Sequence, residues 1–113
     1  MNCISWNYHG LGRPRAVLEL IEMVKKHSPS IVFLMETKSK VSTIKNLRSK
    51  LNMENVHFVP RHNTGGGLAL YWKNGTDLHI LDSSPSHIDV VVNLGVDDAW
   101  RFTGFHRNPV TTN

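Results

Sequence analysis

The chain has 113 residues, 40% hydrophobic and 19% charged, with a single cysteine, Cys3. This is ordinary globular composition at a length for one domain at most, which excludes collagenous, low-complexity and disulfide-framed chains. The net charge of +4 and pI near 9.5 suit a polyanionic partner, nucleic acid above all, although mild basicity is also common in proteins that bind none.

One cysteine cannot close an intramolecular disulfide, so a reducing compartment, nuclear or cytoplasmic, is expected. The first ten residues carry neither a charged leader nor an apolar stretch, and so do not read as a signal peptide. The longest apolar run, Ile31–Met35, falls far short of the ~20 residues that span a bilayer, so no membrane association is expected.

In chain order, residues 2–7 are a strand candidate, broken by Gly10, Gly12 and Pro14. Pro14 suits the first turn of a helix. Over residues 15–27, Val17, Leu20, Ile21 and Val24 recur at helical spacing, and Glu22 and Lys26 form an i,i+4 pair. Ser28-Pro29 stops that helix. The run Ile31–Met35 reads as a strand buried on both faces. A second amphipathic helix is expected over 41–51, with Val41, Ile44, Leu47 and Leu51 as its apolar stripe and Lys40, Lys45, Arg48 and Lys50 on a solvated face.

The second half changes character. Residues 56–59, 68–73, 78–82, 87–94 and 100–105 are rich in β-branched and aromatic residues, with turn-like breaks between them. Asn74-Gly75 gives the strongest hairpin signal, a type I′ turn. The whole reads β-α-β-α followed by antiparallel strands, a mixed α/β layer without internal repeats.

The first strand–helix–strand unit has a geometric consequence. Two strands joined by one crossover in one sheet are parallel, and their C-terminal ends point the same way. Asn7 would end the first and Glu36 the second. If they are neighbours, ~4.8 Å apart, an amide and a carboxylate converge where ligands of parallel strands bind. Such oxygen donors suit a hard cation like Mg²⁺. The plainer alternative is a glutamate that marks where a strand meets water.

Several segments carry a resemblance. Ser5-Trp-Asn-Tyr-His-Gly-Leu-Gly12 resembles the "WN-x-x-G" opening of the endonuclease/exonuclease/phosphatase superfamily, the DNase I-like proteins. Phe33-Leu-Met-Glu-Thr-Lys38 resembles its "(Q/M)-E-T-K" segment, and Gly65-Gly-Gly-Leu-Ala-Leu-Tyr-Trp72 the "GG-(L/V)-A-(L/I)" strand that follows. Ser84-Pro-Ser-His-Ile-Asp89 and Trp100-Arg-Phe-Thr-Gly-Phe105 are similar to the endonuclease domain of plant non-LTR (LINE-type) retrotransposons. The segments appear in family order over nearly the whole chain.

The resemblance implies a four-layered α/β sandwich, two sheets face to face with helices outside. It implies cleavage of phosphodiester or phosphomonoester bonds with Mg²⁺ or Mn²⁺, and in the retrotransposon branch nicking of DNA by an apurinic/apyrimidinic-like endonuclease. Glu36 becomes the metal-binding carboxylate, and Asn7 the amide that orients phosphate and metal shell. His106 stands where the retrotransposon branch has a phosphate-contacting Tyr. It is either a phosphate ligand or proton donor, or the product of drift.

The family's Asp-x-Asn pair, further Asp and closing Asp-His segment have no match in the sequence. Residues 1–113 are therefore expected to be the truncated N-terminal part of such a domain, inactive alone, with the second sheet largely missing. An apolar sheet face without cover would then favour association with another chain. A non-enzymatic nucleic-acid-binding module or an unstable relic is the alternative. Arg61 and His62 are read as solvated loop residues, and Ser86, His87 and Asp89 as strand-edge residues, not a triad.

Overall fold

A computed structural model describes residues 3–7, 14–35, 37–60, 67–93 and 99–105. In chain order the elements are β1 (Cys3–Asn7), α1 (Pro14–His27), β2 (Ile31–Met35), α2 (Val41–Leu51), β3 (Asn55–Val59), β4 (Leu68–Trp72), β5 (Leu78–Ser84), β6 (His87–Val92) and β7 (Trp100–Phe105). No helix among the described residues is long and apolar enough to cross a membrane.

Strands β1 to β4 form one sheet in the order β1-β2-β4-β3, and β5-β6-β7 form a second. β1 and β2 are neighbours, and they run parallel, the direction that a single crossover helix gives to two strands of one sheet. β4 runs antiparallel between β2 and β3.

The alternation along β2 explains its unbroken apolar sequence. Val32 and Leu34 face the helices and pack with Ala69 and Tyr71 of β4, Leu20 and Val24 of α1, and Ile44, Leu47 and Leu51 of α2. Ile31 and Phe33 face the other way and pack with Leu68, Leu70, Ile88, Val90 and Val92. The described residues therefore stack as helices, four-stranded sheet and three-stranded sheet, a partial α/β sandwich. Tyr71 is fully buried among the helix-facing side chains, and its hydroxyl donates to the Ile44 carbonyl at 2.8 Å. Burial pushes its phenol far above the ordinary value.

Helix ends follow local rules with one surprise. α2 ends on Asn52 in the left-handed region (φ 59°), whose N–H reaches the Arg48 and Ser49 carbonyls. α1 ends the same way on a serine: Ser28 has φ 46° and donates to the Val24 carbonyl at 2.8 Å.

Two expectations need correction. The inner face of the first sheet is not left uncovered: Ile31, Leu68 and Leu70 are 0% exposed and Phe33 1%. Three strands are enough, because β6 alone supplies Ile88, Val90 and Val92 to that face. Asn74-Gly75 makes a turn, with Thr76 N–H donating to the Lys73 carbonyl at 2.9 Å, but it joins two different sheets and neither residue has positive φ. It is not a type I′ hairpin turn, which needs positive φ at both central residues. The tight hairpin lies at Pro85-Ser86, between Ser84 and His87, which face each other in the β5–β6 register.

Gly104 sets the spacing between the sheets. It pairs with Ile88 in the register of β6 and β7. A methyl group at its Cα would lie 2.7, 2.8 and 2.8 Å from three ring carbons of Phe33. The Phe33 ring also meets Phe102 edge-on, centroids 6.2 Å apart at 76°, a favoured aromatic geometry. Overpacking a tight core costs ~1–3 kcal/mol, so Gly104→Ala is expected to lower stability by that amount. Urea unfolding of the two proteins checks it, and an unchanged midpoint would show that the ring moves aside freely.

His57 on edge strand β3 reaches the second sheet, its Nε2 lying 3.2 Å from Ser83 Oγ on β5. Partial burial holds the imidazole below its ordinary value of 6.5. The folded state therefore binds fewer protons than the unfolded state just below pH 6.5. This contribution to stability is fully present above pH 6.5 and is lost as pH falls through the lowered folded pKa. Thermal midpoints measured across that window should decline on acidification in the native sequence and decline less in His57→Gln.

Candidate functional site

The parallel register pairs Cys3 with Ile31, Ile4 with Val32, Ser5 with Phe33, Trp6 with Leu34 and Asn7 with Met35. Asn7 is thus the last residue of β1, and its partner Met35 is the last residue of β2. Glu36 is the next residue in the chain after Met35. The convergence of the two C-terminal strand ends rests on this register. Glu36 itself, His106, Arg61 and His62 lie outside the described residues.

The chain beyond Glu36 is tied to β4. Thr37 is fully buried, and its N–H donates to the Gly67 carbonyl at 3.3 Å. Ser39 Oγ donates to the Thr37 carbonyl at 2.8 Å. Lys38 turns the chain with φ 45°, and Gly67 has φ 88°. These contacts join the exit of β2 to the entry of β4, where Met35 faces Leu68. Thr37 follows Glu36 in the same sequence segment, and its burial is what ties that segment to β4. Residue type alone gave no signal of it, because threonine is mostly exposed in folded proteins.

A side chain at positive φ costs ~1–3 kcal/mol. Gly67→Ala is expected to destabilise by about that much and to loosen the Thr37 amide. Hydrogen exchange at Thr37 should accelerate relative to amides in α2. An unaltered Thr37 rate would separate this junction from Gly67.

On the outer side of the second sheet, Asp89 holds β7 in place. Its carboxylate accepts from Arg101 Nε at 3.0 Å, from Arg101 Nη2 at 2.5 Å and from Thr103 Oγ1 at 3.1 Å. The Arg101 hydrogen bonds, with Thr103 adding to them, hold the Asp89 carboxyl below the usual carboxylate range. Asp89 sits on the central strand of that sheet, so the expectation of a strand-edge residue is corrected. The arginine three residues before Gly104 gave no hint of this pairing, because only strand register brings them together.

Beside it, His87 Nδ1 lies 2.5 Å from Ser84 Oγ, and His87 Nε2 lies 3.4 Å from Asp82 Oδ2. The Ser86 amide also donates to Ser84 Oγ at 3.1 Å. The Ser84 oxygen is thereby used in closing the hairpin. No group of three or more His, Cys, Asp or Glu side chains among the described residues is arranged to hold a metal ion.

Two packed sheets, a helical layer and a parallel β1–β2 pair define a DNase I-like α/β architecture. Residues 4–111 match the model of the Endonuclease/Exonuclease/phosphatase family, and the chain belongs to that family. Among solved structures it is similar to the AP endonuclease LMAP from Leishmania major, with TM-score 0.59 and 18% identity, covering 90% of this chain and 38% of that one. It is also similar to the human Nocturnin catalytic domain with bound sulfate anion, with TM-score 0.50 and 17% identity, covering 77% of this chain and 39% of that one. At these identities the likeness is one of fold. The chain spans under two-fifths of the length of both solved relatives. A comparison with the curated proteins found no match.

Proposed function

We propose that this chain carries the metal-binding edge of a Mg²⁺- or Mn²⁺-dependent phosphodiesterase that acts on DNA, of the retrotransposon endonuclease type. The observation that supports it most is the parallel register that sets Asn7 opposite Met35, one residue before Glu36. The Glu36 carboxylate and the Asn7 amide are hard oxygen donors, and few protein ligands plus several waters is the habit of Mg²⁺. In this reading Glu36 holds the cation, and the Asn7 amide orients a phosphate oxygen for in-line attack by water. The cation, when bound, neutralises charge on the phosphoryl oxygens.

The retrotransposon assignment rests on the segments Ser84–Asp89 and Trp100–Phe105, and the DNA substrate also fits the net charge of +4. His106 is assigned a phosphate contact. The 113 residues contain neither an Asp-x-Asn pair nor an Asp-His segment, the segments from which the resemblance draws the group that activates water. In this reading the 113 residues are inactive alone.

Mn²⁺ relaxation of backbone amide signals tests the site without turnover. Broadening is expected at Met35 and Thr37, and it should disappear in Glu36→Ala. Broadening that survives this substitution would remove Glu36 from the site. Plasmid nicking with Mg²⁺, against EDTA controls, tests the activity. The 113-residue protein should show none, and nicking by it that is lost in Glu36→Ala would overturn the claim of inactivity.

A further inference from the structure

Lys25, Lys50 and Lys73 come from three separate elements and line one groove of about 400 Å³. Lys25 lies in the last turn of α1 and Lys50 in the last turn of α2. Lys73 is the residue after β4. Ser28 and Asn52 complete the polar wall, and apolar side chains of the two helices floor it. No carboxylate lines the groove. Among the described residues, none of the three ammonium groups has an ion-pair or hydrogen-bond partner.

Two of these cations have an ordinary reason to be there, since lysines near a helix C-terminus offset its partial negative charge. Both helices, however, already satisfy terminal carbonyls from their own backbone, through Ser28 N–H to Val24, Asn52 N–H to Ser49 and Met53 N–H to Arg48. Lys73 belongs to neither helix. Its own N–H is used by the Ser30 carbonyl at 3.2 Å, and its side chain brings a third like charge to the same groove. Like charges gathered around one cavity repel, and an anion seated among them reverses the sign.

The charge also extends. A second depression shares Asn52 with this groove and is lined by Lys45 and Arg48. Its one acid, Glu54, has a carboxylate oxygen engaged by the Asn74 N–H at 2.8 Å. A track of cations suits a polymer with a phosphate on every unit better than a single phosphate. The place is also separate from the Asn7–Met35 edge. In the β2–β4 register the groove lies at the Ile31–Trp72 end and the candidate metal edge at the Met35–Leu68 end. Four residue steps of ~3.3 Å put roughly 13 Å between them along the strand.

We propose that this groove is a second nucleic-acid contact, which grips the sugar–phosphate backbone of a strand independently of any divalent ion. It rests on the proposed function only in taking nucleic acid as the polymer.

Fluorescence anisotropy with a short labelled oligodeoxynucleotide in EDTA tests it, at several salt concentrations. The groove variant K25Q/K50Q/K73Q is compared with R15Q/K26Q/K40Q, which removes the same charge from exposed positions elsewhere. The groove variant should bind ~10-fold or more weakly, with the slope of log affinity against log salt reduced by about 2. The control should stay within about 3-fold of the native chain. Equal losses in the two variants, or native binding by the groove variant, would overturn the proposal. If urea unfolding shows the triple variant destabilised, Lys73→Gln alone decides, with about a 3-fold loss expected and no loss refuting the site. Intact groove binding without Mn²⁺ contact at Met35 and Thr37 would sink the metal-edge reading and leave this one standing.

Discussion

Burial of β2 on both faces is the constraint on which the other layers depend. Val32 and Leu34 point into the helical layer while Ile31 and Phe33 point into the second sheet. Each fully buried aliphatic or aromatic side chain is worth ~1.5–3 kcal/mol. The four together therefore contribute on the order of the whole stability of a small domain, ~5–15 kcal/mol before opposing entropy is counted. The same strand ends at Met35, the residue before Glu36, so the element that holds the layers together also fixes the strand end from which the chain passes on to Glu36.

A rigid strand is a good place for such a residue. The C-terminal ends of β1 and β2 are brought side by side by hydrogen bonds that continue through the core. Thr37 and Gly67 then bind the next stretch of chain back to β4. The candidate edge is supported from two sides without a long loop between Met35 and Thr37. Asp89 plays a comparable part in the second sheet. Its three hydrogen bonds clamp β7 against β6, and β7 is the strand that delivers Gly104 to the face of Phe33.

Much of the fold could be read from residue order. The five-residue apolar run gave β2 to the residue, and the 3.6-residue stripe of Val41, Ile44, Leu47 and Leu51 gave α2. These signals are local, because period and apolarity are set by which faces are covered. The type of turn at Asn74-Gly75 was misread for a reason of the same kind. The dipeptide favours a hairpin only if the flanking strands pair, and here β4 pairs with β2 and β3 while β5 pairs with β6. The expected bare face was misjudged because strand count is a poor guide to cover. One central strand with three inward aliphatics, flanked by Leu78, Ile80, Trp100 and Phe102, suffices.

By itself the sequence determined the order of elements, the two-sided burial of β2 and the family motifs around Asn7 and Glu36, since each is written in neighbouring residues. Only the tertiary structure decided that β1 and β2 adjoin in a register setting Asn7 against Met35. It alone revealed the Asp89–Arg101 clamp, the fit of Gly104 to Phe33 and the meeting of Lys25, Lys50 and Lys73 in one groove. Those are contacts between residues far apart along the chain. Strand pairing and layer packing create them, and no local periodicity encodes which distant partner a side chain will meet.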